Sequence, residues 1–232
     1  MQMFVKFSNC TVLEASFPTV GRVAAQGKRL GSFEYQDRGE GFLYVSVRAC
    51  TADVPNLNCD MLPHWELKTA YRTFVGKPVY VNHANTNLDR ARGFIIDAIY
   101  HDEDPSDRWI EILMEMDEVT FPTLCRLIRA GEIDTVSMGL NCETTTCSVC
   151  GNVAEYPAQF CEHIQQKGRE FGGVLAYEVC NGISFFEESW VYDPADPTVT
   201  VQALEDESRV AKTAGKARDF GPDNFYVETD AN

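Results

Sequence analysis

Polar and apolar positions alternate through much of this chain, and a period of two predicts strands. GFLYVSVRAC (41–50) carries that rhythm in β-branched and aromatic residues. GFIIDAIYHD (93–102) and RWIEILMEMD (108–117) flank the turn-rich EDPSD and read as a hairpin. In its second arm Ile110, Ile112, Met114 and Met116 alternate with Glu111, Glu115 and Asp117, which predicts one buried face and one wet face. KPVYVNHAN gives a short strand with His83 at its end. DTVSMGLNCE (134–143), VLAYEVC (174–180) and ISFFEESWVYD (183–193) are further strand candidates.

Two segments carry helical spacing instead. LPHWELKTAYRTF (62–74) places Leu62, Trp65, Leu67, Ala70, Tyr71 and Phe74 along one stripe, with Pro63 suited to a first turn. TFPTLCRLIRAGE (120–132) has Thr120 as N-cap, Leu124, Leu127 and Ile128 as its apolar stripe, and Gly131 as its stop. Residues 144–173 break both rhythms, apart from a short helical piece around AQFCEHIQQKG, and residues 205–232 read as an acidic, flexible tail. Many strands with few helices imply an α+β domain over 1–204, built on a curved antiparallel sheet or barrel with flanking helices and a small insert at 142–173.

At 232 residues the chain can bury one substantial core. No apolar stretch approaches a membrane span. The start lacks a secretory pattern, which places the protein in the cytoplasm. A formal net charge of −15 repels phosphate backbones, so general nucleic-acid binding is disfavoured.

Nine cysteines without an export signal argue against a disulfide framework. Cys10, Cys50, Cys59, Cys125 and Cys180 are scattered and read as small core residues. Cys147-x2-Cys150-Gly is a knuckle in which two thiolates reach one metal, and Cys161-x-His163 supplies a second pair. Four such ligands suit a closed, structural Zn²⁺ site that staples an insert poor in apolar residues. Cys142 is the alternative to His163 as fourth ligand.

Serine hydrolysis needs a base within reach of the hydroxyl, a group to orient the base, and donors for the oxyanion. Of four histidines, His101 and His64 read as surface residues and His163 falls among the cysteines. His83, between Asn82 and Asn85 at a strand end, is the best base. Ser137, in TVSMG, shares a strand face with Gly139, which leaves open space above the hydroxyl. Taken singly, a strand-end histidine and a strand serine are more often structural.

In order, VNHAN…DRARGFIIDA, AGEIDTVSMG and ISFFEESWVYDPADP resemble the tailed-phage prohead (capsid maturation) serine proteases, whose fold is similar to herpesvirus assemblins. The resemblance spans roughly residues 40–200. It makes His83 the catalytic histidine, Ser137 the nucleophile and Gly93 the glycine after the histidine. Glu187 and Ser189 match its E-x-S, and Pro194, Ala195, Asp196 and Pro197 its closing motif. Glu187 is first choice for the third catalytic position, with Glu178 and Asp97 as alternatives. Arg90 or Arg92 could serve an oxyanion loop, but a solvated ion-pair role is the default.

The resemblance implies acyl transfer on scaffold and major capsid proteins, and on the chain itself, inside the assembling prohead of an infected bacterium. By analogy it implies a homodimer. The competing expectations are an inactive protease-like virion protein and a zinc-binding interaction protein.

Overall fold

The computed structural model describes residues 27–205, so the expected tail and Cys10 lie outside the described residues. The chain forms β1 (Gly27–Leu30), β2 (Phe33–Gln36), β3 (Phe42–Thr51), β4 (Asp60–Met61), α1 (His64–Ala70), β5 (Pro78–Val81), β6 (Gly93–His101) and β7 (Trp109–Asp117). It continues through α2 (Pro122–Ala130), β8 (Thr135–Asn141), β9 (Thr144–Cys147), β10 (Val153–Ala154) and α3 (Glu162–Gln165). The last strands are β11 (Glu170–Phe171), β12 (Val174–Leu175), β13 (Glu178–Asn181), β14 (Ser184–Val191) and β15 (Val201–Leu204). It is a mixed α+β fold, mostly strands. Among the described residues no helix is long and apolar enough to cross a membrane.

Seven strands make one curled, half-barrel sheet in the order β15-β3-β7-β6-β5-β14-β8. Its pairings are antiparallel except β14 with β5, which run parallel. The curl brings its two ends together at Thr200, which bridges Thr135, the first residue of β8, and accepts a hydrogen bond from the Arg48 N–H of β3 (3.0 Å). Inside the curl Val45, Val47, Ile95, Ile112, Met114, Val136 and Trp190 bury with Leu67 and Phe74 from the α1 segment and Ile128 of α2. Phe74 stacks on Phe185 with centroids 3.8 Å apart.

The β6–β7 hairpin forms as expected, with a register shift between Ile95 and Asp97. Its second face is not wet, however. Hairpin β1–β2 covers it, packing Leu30, Phe33 and Tyr35 against Tyr44 and Leu113. Glu111 is therefore buried, bonded to the Ser46 hydroxyl and to His101 Nε2 at 2.9 Å. Both expected helices are present. The first tightens into a 3-10 turn over Tyr71–Phe74, and its Trp65 is exposed rather than part of the stripe. Helix α2 begins at Pro122, because Thr120 spends its N–H and hydroxyl on Asp117 instead of capping. Gly131 ends it at φ 67°.

The insert is more structured than its composition implies. A second sheet, β10-β9-β13-β4, draws in β4 from far upstream, with β13 parallel to it. The strand expected at 174–180 splits into β12 and β13, and β13 belongs to this small sheet. The lobe therefore runs past residue 173 to Asn181, and its ends meet where Asn141 of β8 pairs with Ser184 of β14.

Candidate functional site

Three adjacent strands of the curled sheet carry the residues singled out in the sequence. His83 lies just past β5, Glu187 and Ser189 sit on β14, and Ser137 on β8. Register places Ser137 opposite Ser189 and Gly139 opposite Glu187. Directly paired residues project to the same face of a sheet, so one face carries Ser137, Glu187 and Ser189.

A bulge sets that face. The register shifts between Phe185 and Glu187. Phe185 enters the core, Phe186 is exposed, and Glu187 and Ser189 then share the opposite face. Regular alternation would keep Glu187 on the Phe185 face. The bulge moves Glu187 to the site face and sends Glu188 inward instead. Glu188 is fully buried, and among the described residues neither of its carboxylate oxygens has a hydrogen-bond partner. Burial, and then the neighbouring Glu187 charge, pushes its carboxyl well above the usual range.

His83 Nδ1 lies 2.6 Å from Glu187 Oε1. Glu187 is 1% exposed, whereas the His83 side chain is 43% exposed. The hydrogen bond to Glu187 raises the His83 pKa, against the opposing effect of partial burial. The Ser189 hydroxyl donates to Glu187 Oε2 at 2.7 Å and accepts the His83 backbone N–H at 3.2 Å. Tyr80, opposite Ser189 on β5, has its phenol raised by burial and then by the Glu187 charge.

The backbone around the histidine is strained. Asn82 and His83 have φ of 50° and 52°, left-handed values that cost an ordinary L-residue roughly 1–2 kcal/mol each. The turn is held by Asn82 N–H to the Trp190 carbonyl (3.0 Å) and Asn85 N–H to the His83 carbonyl (2.7 Å). Such strain concentrates at functional sites.

Gly139 has a different role from the one its position in the sequence implies. The space above it is filled: a Cβ there would come within 2.6 Å of Glu187 Oε1 and 2.7 Å of Phe186. The glycine makes room for the Glu187 carboxylate to reach His83. Gly93 is likewise required, since a Cβ would strike the Glu115 and Met116 backbone of β7.

The other two acidic candidates are engaged elsewhere. Glu178 pairs with Lys167 at 2.8 Å, and Asp97 with Arg72 at 2.6 Å. Arg92 lies over the Phe121 ring. Asp196 of the closing P-A-D-P anchors backbone, accepting N–H bonds from Thr51 (3.0 Å) and Thr198 (2.9 Å). No hydrogen bond joins His83 to Ser137 among the described residues. His101, expected at the surface, is mostly buried and stacked on Trp109. With Glu111 and Ser46 it makes a second Ser-Glu-His group, but Ser46 is sealed from solvent and cannot meet a substrate.

Strand β8 is the last of its sheet. The Asn82 N–H to Trp190 C=O bond turns the Trp190 amide toward β5. Ser189 therefore faces β8 with its backbone groups, so Ser137 pairs inward and the N–H and C=O of Met138 point to the open edge. A cavity of about 220 Å³ runs along this edge. Val136, Ser137, Met138 and Leu140 form one wall, and the small sheet contributes Asp60 and Cys180 to another.

In the lobe, the ligand atoms of Cys147, Cys150, Cys161 and His163 lie within 4.8 Å of one another, a group that could hold a metal ion. Cys150 and Cys161 sulfurs are 3.5 Å apart, near the roughly 3.8 Å that tetrahedral ligation at 2.3 Å implies. Val149 donates its N–H to Cys147 Sγ at 3.4 Å, and Gly151 turns the chain at φ 71°. Burial raises the Cys161 thiol, but the Ile164 N–H and neighbouring thiols outweigh it, leaving a pKa of about 7. All eight described cysteines are free thiols. Cys142 is not in the cluster. The neighbouring Cys180 thiol lowers its pKa, against the opposing effect of burial. Of the scattered cysteines, Cys50, Cys125 and Cys180 are buried and Cys59 is partly so.

Compared with known proteins, the chain matches no family model, no curated protein and no solved structure.

Proposed function

We propose that this protein is a serine endopeptidase of the prohead-maturation type, with an assemblin-like half-barrel, and that its lobe holds one structural Zn²⁺. The observation that carries the reading is the 2.6 Å His83–Glu187 contact, set one strand from Ser137 by the β14 register. Glu187 orients the imidazole, leaving Nε2 to take the Ser137 proton. The Ser137 oxygen attacks a peptide carbonyl, the C–N bond breaks as Nε2–H protonates the leaving amine, and water then releases the acyl group. The substrate runs as an extended strand along the open edge of β8, bonding to the Met138 backbone, with a side chain in the adjoining cavity.

Cys147, Cys150, Cys161 and His163 hold the zinc. Four protein ligands leave it no open position, so the metal supplies folding energy to the lobe. Scaffold and capsid proteins are the substrates, within the prohead. The absence of a His83–Ser137 hydrogen bond favours the second reading, a virion protein that keeps the fold without activity. Such bonds are often long before substrate binds, and the strained His83 turn has no use in an inactive scaffold.

The test is co-expression with candidate scaffold and capsid proteins, followed by mapping of cleaved termini. Ser137→Ala and His83→Ala should fold and each lose cleavage by about 10⁴-fold or more. Undiminished processing by Ser137→Ala would remove the assignment. A fluorophosphonate should label wild type at Ser137 and leave Ser137→Ala unlabelled.

A further inference from the structure

The geometry points to Ser189 as a positioning residue that fixes the protonation pattern of the site and holds the His83 turn. The inference rests on the peptidase reading for its kinetic consequence but not for its chemistry. Ser189 is fully buried and has one proton to give. The backbone N–H of His83 points at its oxygen from 3.2 Å, so the hydroxyl proton is directed elsewhere, and Glu187 Oε2 receives it at 2.7 Å. That oxygen must accept. The other, Oε1, meets His83 Nδ1 at 2.6 Å.

The inferred arrangement makes Glu187 an acceptor at both oxygens, with Nδ1 carrying the imidazole proton. Nε2 is then the free lone pair. One hydroxyl thus joins three requirements: an ionised Glu187, the Nδ1–H tautomer, and a His83 backbone kept at φ 52°. Fully buried Glu188 favours the same state, because its carboxyl is held neutral and puts no second charge beside Glu187. Ser189 is sealed from solvent, and its side-chain hydrogen bonds among the described residues run to His83 and Glu187, so it acts through these two neighbours.

The experiment is ¹⁵N NMR of the imidazoles in the full-length chain, alongside peptidase kinetics. Wild type, with His83 neutral, should show the Nδ1–H tautomer. Ser189→Ala should turn it to a tautomer mixture and lower kcat by about 10²-fold with little change in KM, the scale of a small misplacement of a catalytic group. Ser189→Thr keeps the hydroxyl and should restore both. Ser189→Cys keeps the volume with a weak donor and should behave like alanine, so it decides the matter if Ser189→Ala does not fold.

An Nε2–H tautomer in wild type overturns the inference, whatever the activity. So does a Ser189→Ala or Ser189→Cys protein that keeps both the Nδ1–H tautomer and wild-type kcat. If the tautomer responds to Ser189 but wild type cleaves nothing, the positioning role stands and the peptidase reading falls.

Discussion

On the peptidase reading His83 is a base only when neutral, and its bond to Glu187 raises its pKa above the ordinary 6.5. The acid limb of kcat/KM should therefore have its midpoint above pH 6.5, and Glu187→Gln should move that midpoint down while lowering the plateau. A limb at or below 6.5 in wild type would show that the contact is absent in solution. Glu188 makes the opposite kind of statement, about stability. Below pH 4.5 both folded and unfolded chains hold its proton. Above that, the unfolded chain releases it while the folded chain keeps it, so stability falls as pH rises toward the raised folded pKa. Glu188→Met should gain about 1–3 kcal/mol at pH 7 and much less at pH 4, measured by urea unfolding. An equal gain at both pH values would mean that titration plays no part. The candidacy of Glu187 came from the order of motifs, and the structure sets it against His83. The fate of Glu188, one residue on, was not legible in the sequence, because two adjacent glutamates look alike until the fold separates their faces.

At the scale of elements, period-two alternation revealed most of the strands and little of what covers them. The β6–β7 hairpin is legible because EDPSD separates two alternating runs. Leu113 and Glu111 are buried by β1–β2, a hairpin too short and too polar to announce itself in the sequence. The bulge in β14 is also silent, since no glycine or proline marks Phe186. Gly139 was visible but misread: its missing side chain accommodates Glu187, not substrate. Gly139→Ala is the corresponding test. Its Cβ would force the Glu187 carboxylate or Phe186 aside, costing about 1–3 kcal/mol of stability. The surviving folded protein should lose most of its kcat. Full activity with unchanged stability would mean that Glu187 is free to shift, and that its contact with His83 is not needed.

Across the whole molecule, the cysteine spacing disclosed the Cys/His group that could hold a metal ion, because CxxCG and CxH are local signals. The pairing of the lobe with Asp60–Met61 was hidden, since two residues of strand carry no period. The consequence is that the small sheet they share walls the cavity beside Ser137 through Asp60 of β4 and Cys180 of β13. Protein purified without chelator should contain about one zinc per chain. Removing the zinc should raise KM for a protein substrate several-fold, while labelling of Ser137 by a small fluorophosphonate changes little. Equal loss of both, with the fold intact and recovery on adding zinc, would mean a metal that takes part in the chemistry.

The position of β14 has a further consequence for the time at which the site comes into being. It is nearly the last strand in sequence, yet it lies between β5 and β8, and without it His83 and Ser137 have no common neighbour. A growing chain emerging from the ribosome holds both residues long before it holds Glu187. On the peptidase reading, activity would therefore belong to the finished polypeptide. Residues 142–183 form the loop whose ends must meet for Asn141 to find Ser184. Closing a long loop is the slow, entropically costly step of a high-contact-order fold. A lobe whose Cys147, Cys150, Cys161 and His163 have already come together holds those ends close, so on the proposed reading a metal bound there would act as a clock on folding, long before it affected any substrate.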